Sequence, residues 1–416
     1  MKTAKYVIIG NSAAGIGCVE GIRSVDKDGK IIIVSDEKHH TYSRPLISYL
    51  LLGKTDEQRM KYRGDDFYDK NNAELIASEK VLKIDADKKT LLLENGEKIG
   101  YEKLMSATGS SPFIPPMDGL DKVDKKFTFM TLDSAKALEK ELDPSKKVLI
   151  IGAGLIGLKC AEGIKDRVKS VTVVDLAPRV LSSILDDEGS DIIKKHLEDN
   201  EIEIILSDSV KEFSENCAKL NSGNTVEYDI LVLAVGVRPN VSLIKDAGGK
   251  VNRGIVVNEK LETSLPDVYS AGDCTESHDI SSDSDKILAL LPNAYMQGEC
   301  AGINMAGGKA EFGKAIPMNA IGFFGKHIVT AGTYAGEEHV IKNAGTYKKL
   351  FTENGLLKGY IIIGDIEKAG IYTSLIREKT PLNEIDFELI FENPGLMAFS
   401  RNKRDELLNG KFKSVR

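Results

Sequence analysis

The chain has no tryptophan, and its five cysteines, Cys18, Cys160, Cys217, Cys274 and Cys300, are scattered with no C-x-x-C pair. Neither a disulfide framework nor an iron–sulfur or zinc cradle is indicated, and the thiols suit a reducing cytoplasm. Long apolar runs are missing too. The longest after the opening Tyr6–Ile9 segment is Ile230–Val235, far short of the ~18 residues of a membrane span, and no charged-then-apolar leader precedes Tyr6. The expectation is a cytoplasmic protein without membrane contact. Nor is there an excess of positive charge: 56 basic against 63 acidic residues leave −7, where a nucleic-acid binder presents a basic face. The six histidines, His39, His40, His196, His278, His327 and His339, show no ligand spacing, and all are read as structural or solvated, with no metal. No Ser/His/Asp grouping is legible, which argues against a hydrolase.

What is present is an internal repeat. Val7–Ile22 and Leu149–Ile164 are identical at eight of sixteen positions, at a constant offset of 142 residues. Each copy opens as strand, glycine turn and helix, then reaches a β-branched strand (Lys30–Val34, Ser170–Val174) followed by an acid, Asp36 and Glu37 in the first and Asp175 in the second. This is the plan of a dinucleotide-binding βαβ unit. Glycines let the backbone approach a pyrophosphate, the helix N-terminus offers amide donors, and the acid takes a ribose hydroxyl. Gly152-Ala-Gly154-Leu155-Ile156-Gly157 is a complete G-x-G-x-x-G, whereas Gly10-Asn-Ser12-Ala13-Ala14-Gly15 carries serine at the middle position, which a negative φ would permit. Cys18 and Cys160 occupy equivalent helix positions and are read as packing groups. At about 150 residues per domain, 416 residues accommodate two to three domains.

Two further segments, Leu104-Met-Ser-Ala107-Thr108-Gly109-Ser110 and Tyr269-Ser-Ala-Gly272-Asp273-Cys274, together with Leu233-Ala-Val-Gly236-Val-Arg-Pro-Asn240, resemble the A-T-G and G-D signatures of the pyridine nucleotide–disulfide oxidoreductase superfamily. The resemblance implies that the first unit binds FAD, the second NAD(H), and that the chain then returns to complete the FAD domain. It adds Val81 and Asn293 as cofactor contacts. Asp273, at the end of a strand, stands where α/β proteins bind ligands and is suited to accept from a ribitol hydroxyl. Leu291-Pro292-Asn293 opens a helix through Met305, its positive end suited to a reduced, anionic flavin.

Disulfide reductases of this superfamily carry a C-x₄-C pair after the FAD ribose acid, but this chain reads Tyr42-Ser-Arg44-Pro45-Leu-Ile-Ser-Tyr49. Without a thiol there, electrons must leave directly from the flavin. The string resembles the branch of NADH:rubredoxin reductases, oxygenase ferredoxin reductases and the flavoprotein part of assimilatory nitrite reductase, which implies an Arg44–FAD contact. Many relatives place a lysine and a glutamate as an ion pair beside the flavin; here those positions are Tyr49 and Lys159, so Lys159 is a candidate catalytic residue.

After about residue 322, short β-like runs at Gly322–Thr330, Thr346–Thr352 and Leu356–Ile363, a Glu353-Asn-Gly355 turn and a helical pattern over Glu367–Lys379 predict an α+β module, similar to the C-terminal domain of NADH:rubredoxin reductases. Arg401–Arg416 holds six basic and two acidic side chains, suited to solvation or to an acidic carrier. The expected class is α/β, with two Rossmann-like domains plus a C-terminal α+β domain: 1–117 and 242–321 for FAD, 118–241 for NAD(H), 322–416 for the last. The expected activity is FAD-dependent NADH oxidation, with a rubredoxin or ferredoxin as acceptor. The alternatives are a flavin subunit of a larger redox complex of the 2-oxoacid dehydrogenase or nitrite reductase type, an oxidase reducing dioxygen, and a non-catalytic NADH sensor. An oligomer is compatible with all of them.

Overall fold

The computed structural model describes residues 1–401, 404 and 408; most of the basic run Arg401–Arg416 therefore lies outside the described residues. Two compact units are present. The first comprises Met1–Ser183, Ser190–His278 and Asp285–Gly313; the second comprises Ile184–Gly189, Asp279–Ser284 and Lys314 onward.

The first unit contains two parallel sheets. Ala73–Ile76, Ile31–Val34, Lys2–Ile9 and Lys98–Ser106 lie side by side in that order and parallel, and Val268–Ser270 pairs with Lys98–Ser106 from the far end of the chain. Thr90–Leu93 and Val81–Asp85 extend this sheet antiparallel. The second sheet runs Ile202–Ile205, Ser170–Val174, Lys147–Ile151, Ile230–Leu233 and Lys126–Thr128, all parallel. Central strands such as Ile31–Val34 and Ile230–Leu233 are buried throughout, which is why they read as unbroken β-branched or aliphatic runs rather than as alternating patterns.

The repeat is visible in the backbone. Gly10 and Gly152 both take positive φ, +113° and +116°. A Cβ on Gly10 would stand 2.2 Å from the Ala107 carbonyl oxygen, and one on Gly152 would stand 2.3 Å from that of Ala234. The middle position tolerates serine because its φ is negative, −108° at Ser12 against −85° at Gly154. Cys18 and Cys160 are wholly buried, and burial pushes both thiols far above the usual range.

The helix Ala13–Val25 packs on the returning helix Leu291–Met305 backbone to backbone. Cβ atoms added at Gly17 and Gly21 would meet the Tyr295 and Glu299 carbonyl oxygens at 2.3 and 2.2 Å, and at Gly298 and Gly302 those of Ala14 and Cys18 at 2.0 and 2.2 Å. Four glycines thus let the returning helix lie against the helix that opens from the first glycine turn.

The second unit is a five-stranded antiparallel sheet in the order Met318–Phe323, Lys326–Gly332, Leu356–Ile363, Thr346–Glu353, Glu337–Asn343. Tyr360 and Ile362 from the sheet and Tyr372, Leu375 and Ile376 from the helix Ala369–Arg377 form its core. The run expected at Gly322–Thr330 is two strands turning at Phe324-Gly325, and the strand Met318–Phe323 straddles position 322. Among the described residues no helix is long and apolar enough to cross a membrane.

Candidate functional site

A cavity of about 640 Å³ opens at the carboxyl ends of the first parallel sheet, within the range of small-molecule and cofactor sites. Gly10, Ser12, Ala13 and Ala14 border it from the first glycine turn, Asp36 and Glu37 from the end of the next strand, and Arg44 and Pro45 from the short turn of helix Arg44–Leu46. Val81, the Ala107-Thr108-Gly109 segment and Gly272-Asp273 complete the set expected there. Segments more than 260 residues apart are brought together because Lys2–Ile9, Lys98–Ser106 and Val268–Ser270 share one sheet and end on one edge.

The helix start is chemically open. Ser12 makes no side-chain cap, and no acidic residue stands in the first turn of Ala13–Val25, so first-turn amide donors are left for an anion. This suits a pyrophosphate.

Arg44 is the electrostatic centre of the wall. It is ion-paired with Glu37 and its Nη1 donates to the Met130 carbonyl at 3.3 Å. Glu37 also accepts from the Tyr42 hydroxyl at 2.7 Å, and that hydroxyl accepts from the Leu132 amide. Burial opposes the charge on Arg44, yet Tyr42 and Glu37 hold its pKa above the usual arginine value. Burial pushes the Asp273 carboxyl above the ordinary carboxylate range, and the Arg44 charge pulls it back. The neighbouring Gly272 amide donates to Gln297 Oε1 at 2.7 Å, so the returning helix holds the Gly-Asp turn in place. With Glu37 engaged by Arg44 and Tyr42, Asp36 is the exposed acid of the pair.

Two residues expected in the FAD site, Gly15 and Asn293, do not border this cavity. Gly15 does not border the cavity; a Cβ there would fall 2.0 Å from the Gly10 carbonyl oxygen, so its role is close helix-to-turn packing. Asn293 is buried in the helix Leu291–Met305, whose Leu291 and Ala294 reach the cavity instead. His39 and His40, read as structural or solvated, border the cavity; His39 pairs with Asp133, and His40 packs edge-on against Tyr68. Asn11, Tyr42, Met130 and Asn240 also border it and were not singled out. Asn11, Tyr42 and Asn240 lie inside the sequence motifs, but an asparagine or a tyrosine there does not by itself announce ligand contact.

The second glycine turn repeats the arrangement. Gly154 caps Leu155–Ile164 without a side-chain bond or a first-turn acid, and a Cβ on it would meet nothing within 4 Å. Leu155 and Ile156 open the helix, and Gly157 abuts the Gly152 carbonyl oxygen. Asp175 accepts from the Ala153 amide at 2.6 Å and the Ala177 amide at 2.7 Å, so its carboxylate is fixed beside the turn. Gly236, at φ +120°, is exposed on the segment leading to Asn240. There the strands Ser110–Pro112 and Val237–Pro239 pair, and Thr108 and Asn240 exchange hydrogen bonds of 2.7 and 2.8 Å. Lys159, two residues past Gly157, is ion-paired with Glu162.

Comparison with known proteins gives the same picture. A family model described as pyridine nucleotide-disulphide oxidoreductase matches residues 4–298, and one described as the rubredoxin NAD⁺ reductase C-terminal domain matches 317–380. The chain is 31% identical over 398 residues to the NADH-dependent phenylglyoxylate dehydrogenase subunit epsilon of Aromatoleum evansii, covering 92% of this chain and 94% of that one. It is 30% identical over 392 residues to the assimilatory nitrate reductase electron transfer subunit of Bacillus subtilis, covering 91% of this chain but only 50% of the relative, so it spans about half of that protein. Among solved structures, the NADH:rubredoxin oxidoreductase of Clostridium acetobutylicum superposes with a TM-score of 0.77 at 26% identity, over 94% of this chain and all of that one.

Proposed function

The chain belongs to the pyridine nucleotide-disulphide oxidoreductase family, as an FAD-dependent NADH oxidoreductase, and from that premise we propose that it passes electrons from NADH through FAD to a small external carrier of the rubredoxin or ferredoxin kind. The observation that carries this reading is the cavity wall, which holds Arg44, Pro45 and Asp273 and no thiol. A cysteine relay has no place to stand, and electrons leave from the flavin itself. The match of residues 317–380 to a rubredoxin reductase C-terminal domain points to the same class of acceptor.

FAD, when bound, supplies a ring that takes a hydride and returns electrons singly. The chain's residues orient it. The open amides after Ser12 hold the pyrophosphate, Asp36 takes the adenosine ribose, Arg44 lies along the wall, and Asp273 accepts from the ribitol. In the other half of this unit, the amides after Gly154 and the carboxylate of Asp175 take the nucleotide so that its nicotinamide can meet the flavin. Such positioning replaces acid–base catalysis, because hydride transfer needs none. In domain terms, 1–117 and the part of 242–313 outside 279–284 form the FAD portion, 118–241 apart from 184–189 the NAD(H) portion, and 184–189, 279–284 and Lys314 onward the C-terminal unit.

Asp175 sets the coenzyme. Its carboxylate, held by two amides, accepts from a 2′-hydroxyl and repels a 2′-phosphate. Asp175→Ala is expected to lower kcat/KM for NADH by about tenfold, near 1.4 kcal/mol for one lost charge-assisted bond, and to raise the NADPH-to-NADH ratio by at least as much. An unchanged ratio in steady-state kinetics with both coenzymes would remove Asp175 from this role.

The direct test is anaerobic. One equivalent of NADH should bleach the flavin, and oxidised rubredoxin should then restore its colour in a salt-sensitive reaction. Bleaching without transfer to rubredoxin or ferredoxin sinks the carrier assignment. A second reading, a flavin subunit within a larger dehydrogenase, is favoured by the likeness to the phenylglyoxylate dehydrogenase subunit over nearly its whole length. It predicts a co-purifying partner, whereas fast oxygen uptake would mark an oxidase.

A further inference from the structure

The loop that follows Asp36 and Glu37 is held from the other half of its unit. Met130–Asp133 leads into the helix Leu132–Glu139, in the portion read above as NAD(H)-binding, yet side chains of the loop bond it at three points. The Leu132 amide donates to the Tyr42 hydroxyl at 3.0 Å, Arg44 Nη1 donates to the Met130 carbonyl at 3.3 Å, and His39 Nε2 stands 2.9 Å from Asp133 Oδ1. Lys38 Nζ reaches the same carboxylate oxygen at 3.2 Å. Among the described residues no strand pairing joins the two segments, so side-chain bonds set how they meet. His39, Tyr42, Arg44 and Met130 all border the flavin cavity. Asp133 does not border it, and its side chain is 48% exposed against 13% for His39. Burial opposes the Asp133 charge, but bonds from His39 and Lys38 hold its carboxyl below the ordinary carboxylate range. His39 is also anchored toward the first glycine turn: its carbonyl accepts from Asn11 Nδ2 at 3.4 Å, and its ring meets that of Tyr42 edge-on with centres 6.1 Å apart.

We propose that His39 and Asp133 are positioning residues for FAD, a clasp that fixes Arg44 on the cavity wall from the neighbouring half of the unit. The inference rests on the reading of this cavity as the FAD site. Asp133 lies one residue from the Leu132 amide and three from the Met130 carbonyl, so whatever holds Asp133 also places the two backbone groups that Tyr42 and Arg44 bond. As a first-turn acid, Asp133 would favour its own helix without any partner; the bond to His39 adds a tie to the cavity that the helix itself does not require. Arginine loses much rotamer freedom when it is ordered, and a guanidinium already held in place spares that loss on binding. FAD affinity then depends on a carboxylate that stands outside the cavity.

The test titrates the full-length apo-protein with FAD and follows flavin fluorescence quenching. Asp133→Ala and His39→Ala are each expected to weaken FAD binding about fivefold, the size expected of a partly exposed ion pair. The two together should also cost about fivefold, because both delete one bond. Asp133→Glu, which keeps the carboxylate, should stay within twofold of wild type. So should Lys136→Ala, which removes the ion pair of Lys136 with Glu57 on the same helix but away from the cavity. In an Arg44→Met background, Asp133→Ala should cost less than twofold, since the residue it positions is gone. Affinities within twofold of wild type for both single variants overturn the proposal. So does a double variant weakened by the product of the single effects, about 25-fold, or a fivefold loss that persists without Arg44. Wild-type apo-protein that takes up no FAD would defeat the reading of the cavity; normal uptake with flat variants would defeat only the clasp.

Discussion

Gly298→Ala is expected to yield a protein that purifies largely without flavin and unfolds with about 3 kcal/mol less stability, the upper part of the range for overpacking a tight contact. The new Cβ would stand 2.0 Å from the Ala14 carbonyl oxygen and 2.8 Å from its carbon. Both atoms are backbone, so no rotamer change relieves the clash; one helix must move. Ala14 borders the cavity and Ala294, one turn before Gly298, borders it from the other side, so separating the helices widens the site at the first glycine turn. Gly370→Ala is the matched control. That glycine lies in the helix Ala369–Arg377, a Cβ there would meet nothing within 4 Å, and alanine should stabilise by roughly 0.5–1 kcal/mol. Flavin-to-protein absorbance ratio and denaturant unfolding read both outcomes. A Gly298→Ala protein with full flavin and wild-type stability would show that the two helices are not held as described.

Arg44→Met should weaken FAD binding about 30-fold, near 2 kcal/mol. Removing one partner of a buried pair costs ~3–5 kcal/mol, but the side chains of Arg44 and Glu37 retain 34% and 18% exposure, and solvent screening lowers the expected loss. Methionine keeps the stem's packing and deletes the charge, leaving Glu37 its bond from the Tyr42 hydroxyl and Asp273 without the cation that opposes its burial. Arg44→Lys should recover only part of the affinity. A lysine brings the charge but not the planar guanidinium, which bonds Glu37 and the Met130 carbonyl together and lies 5.6 Å from the Tyr42 ring centre. Titration of apo-protein with FAD, followed by flavin fluorescence quenching, measures all three dissociation constants. Full recovery by lysine would mean that charge alone matters at this position.

The strand Glu337–Asn343 marks where pattern reading stops. Its sequence, Glu-Glu-His-Val-Ile-Lys-Asn, has little apolar alternation because it is a sheet edge, exposed along most of its length; charged side chains there block pairing with other chains. The Phe324-Gly325 turn was hidden for a related reason: the residues on either side are equally β-prone, and only the positive φ of both, +47° and +81°, separates one run into two strands.

By itself the sequence determined the two dinucleotide-binding units, because a glycine turn followed by a buried strand and an acid is a local pattern, imposed by backbone approach and strand burial within some thirty residues and here written twice at an offset of 142. It also determined the C-terminal α+β module and the lack of a thiol at Tyr42–Tyr49. Tertiary structure alone decided which residues of those motifs face the cavity. Gly15 packs so closely that a Cβ would strike the Gly10 carbonyl, Asn293 is buried in its helix, and Asn240 reaches the wall with bonds to Thr108, 132 residues away. It likewise decided that 184–189 and 279–284 join the second compact unit, where Asp186 takes bonds from Tyr347 and Lys349. Such contacts depend on how helices and sheets pack against each other across the chain, and no periodicity in a single segment records that.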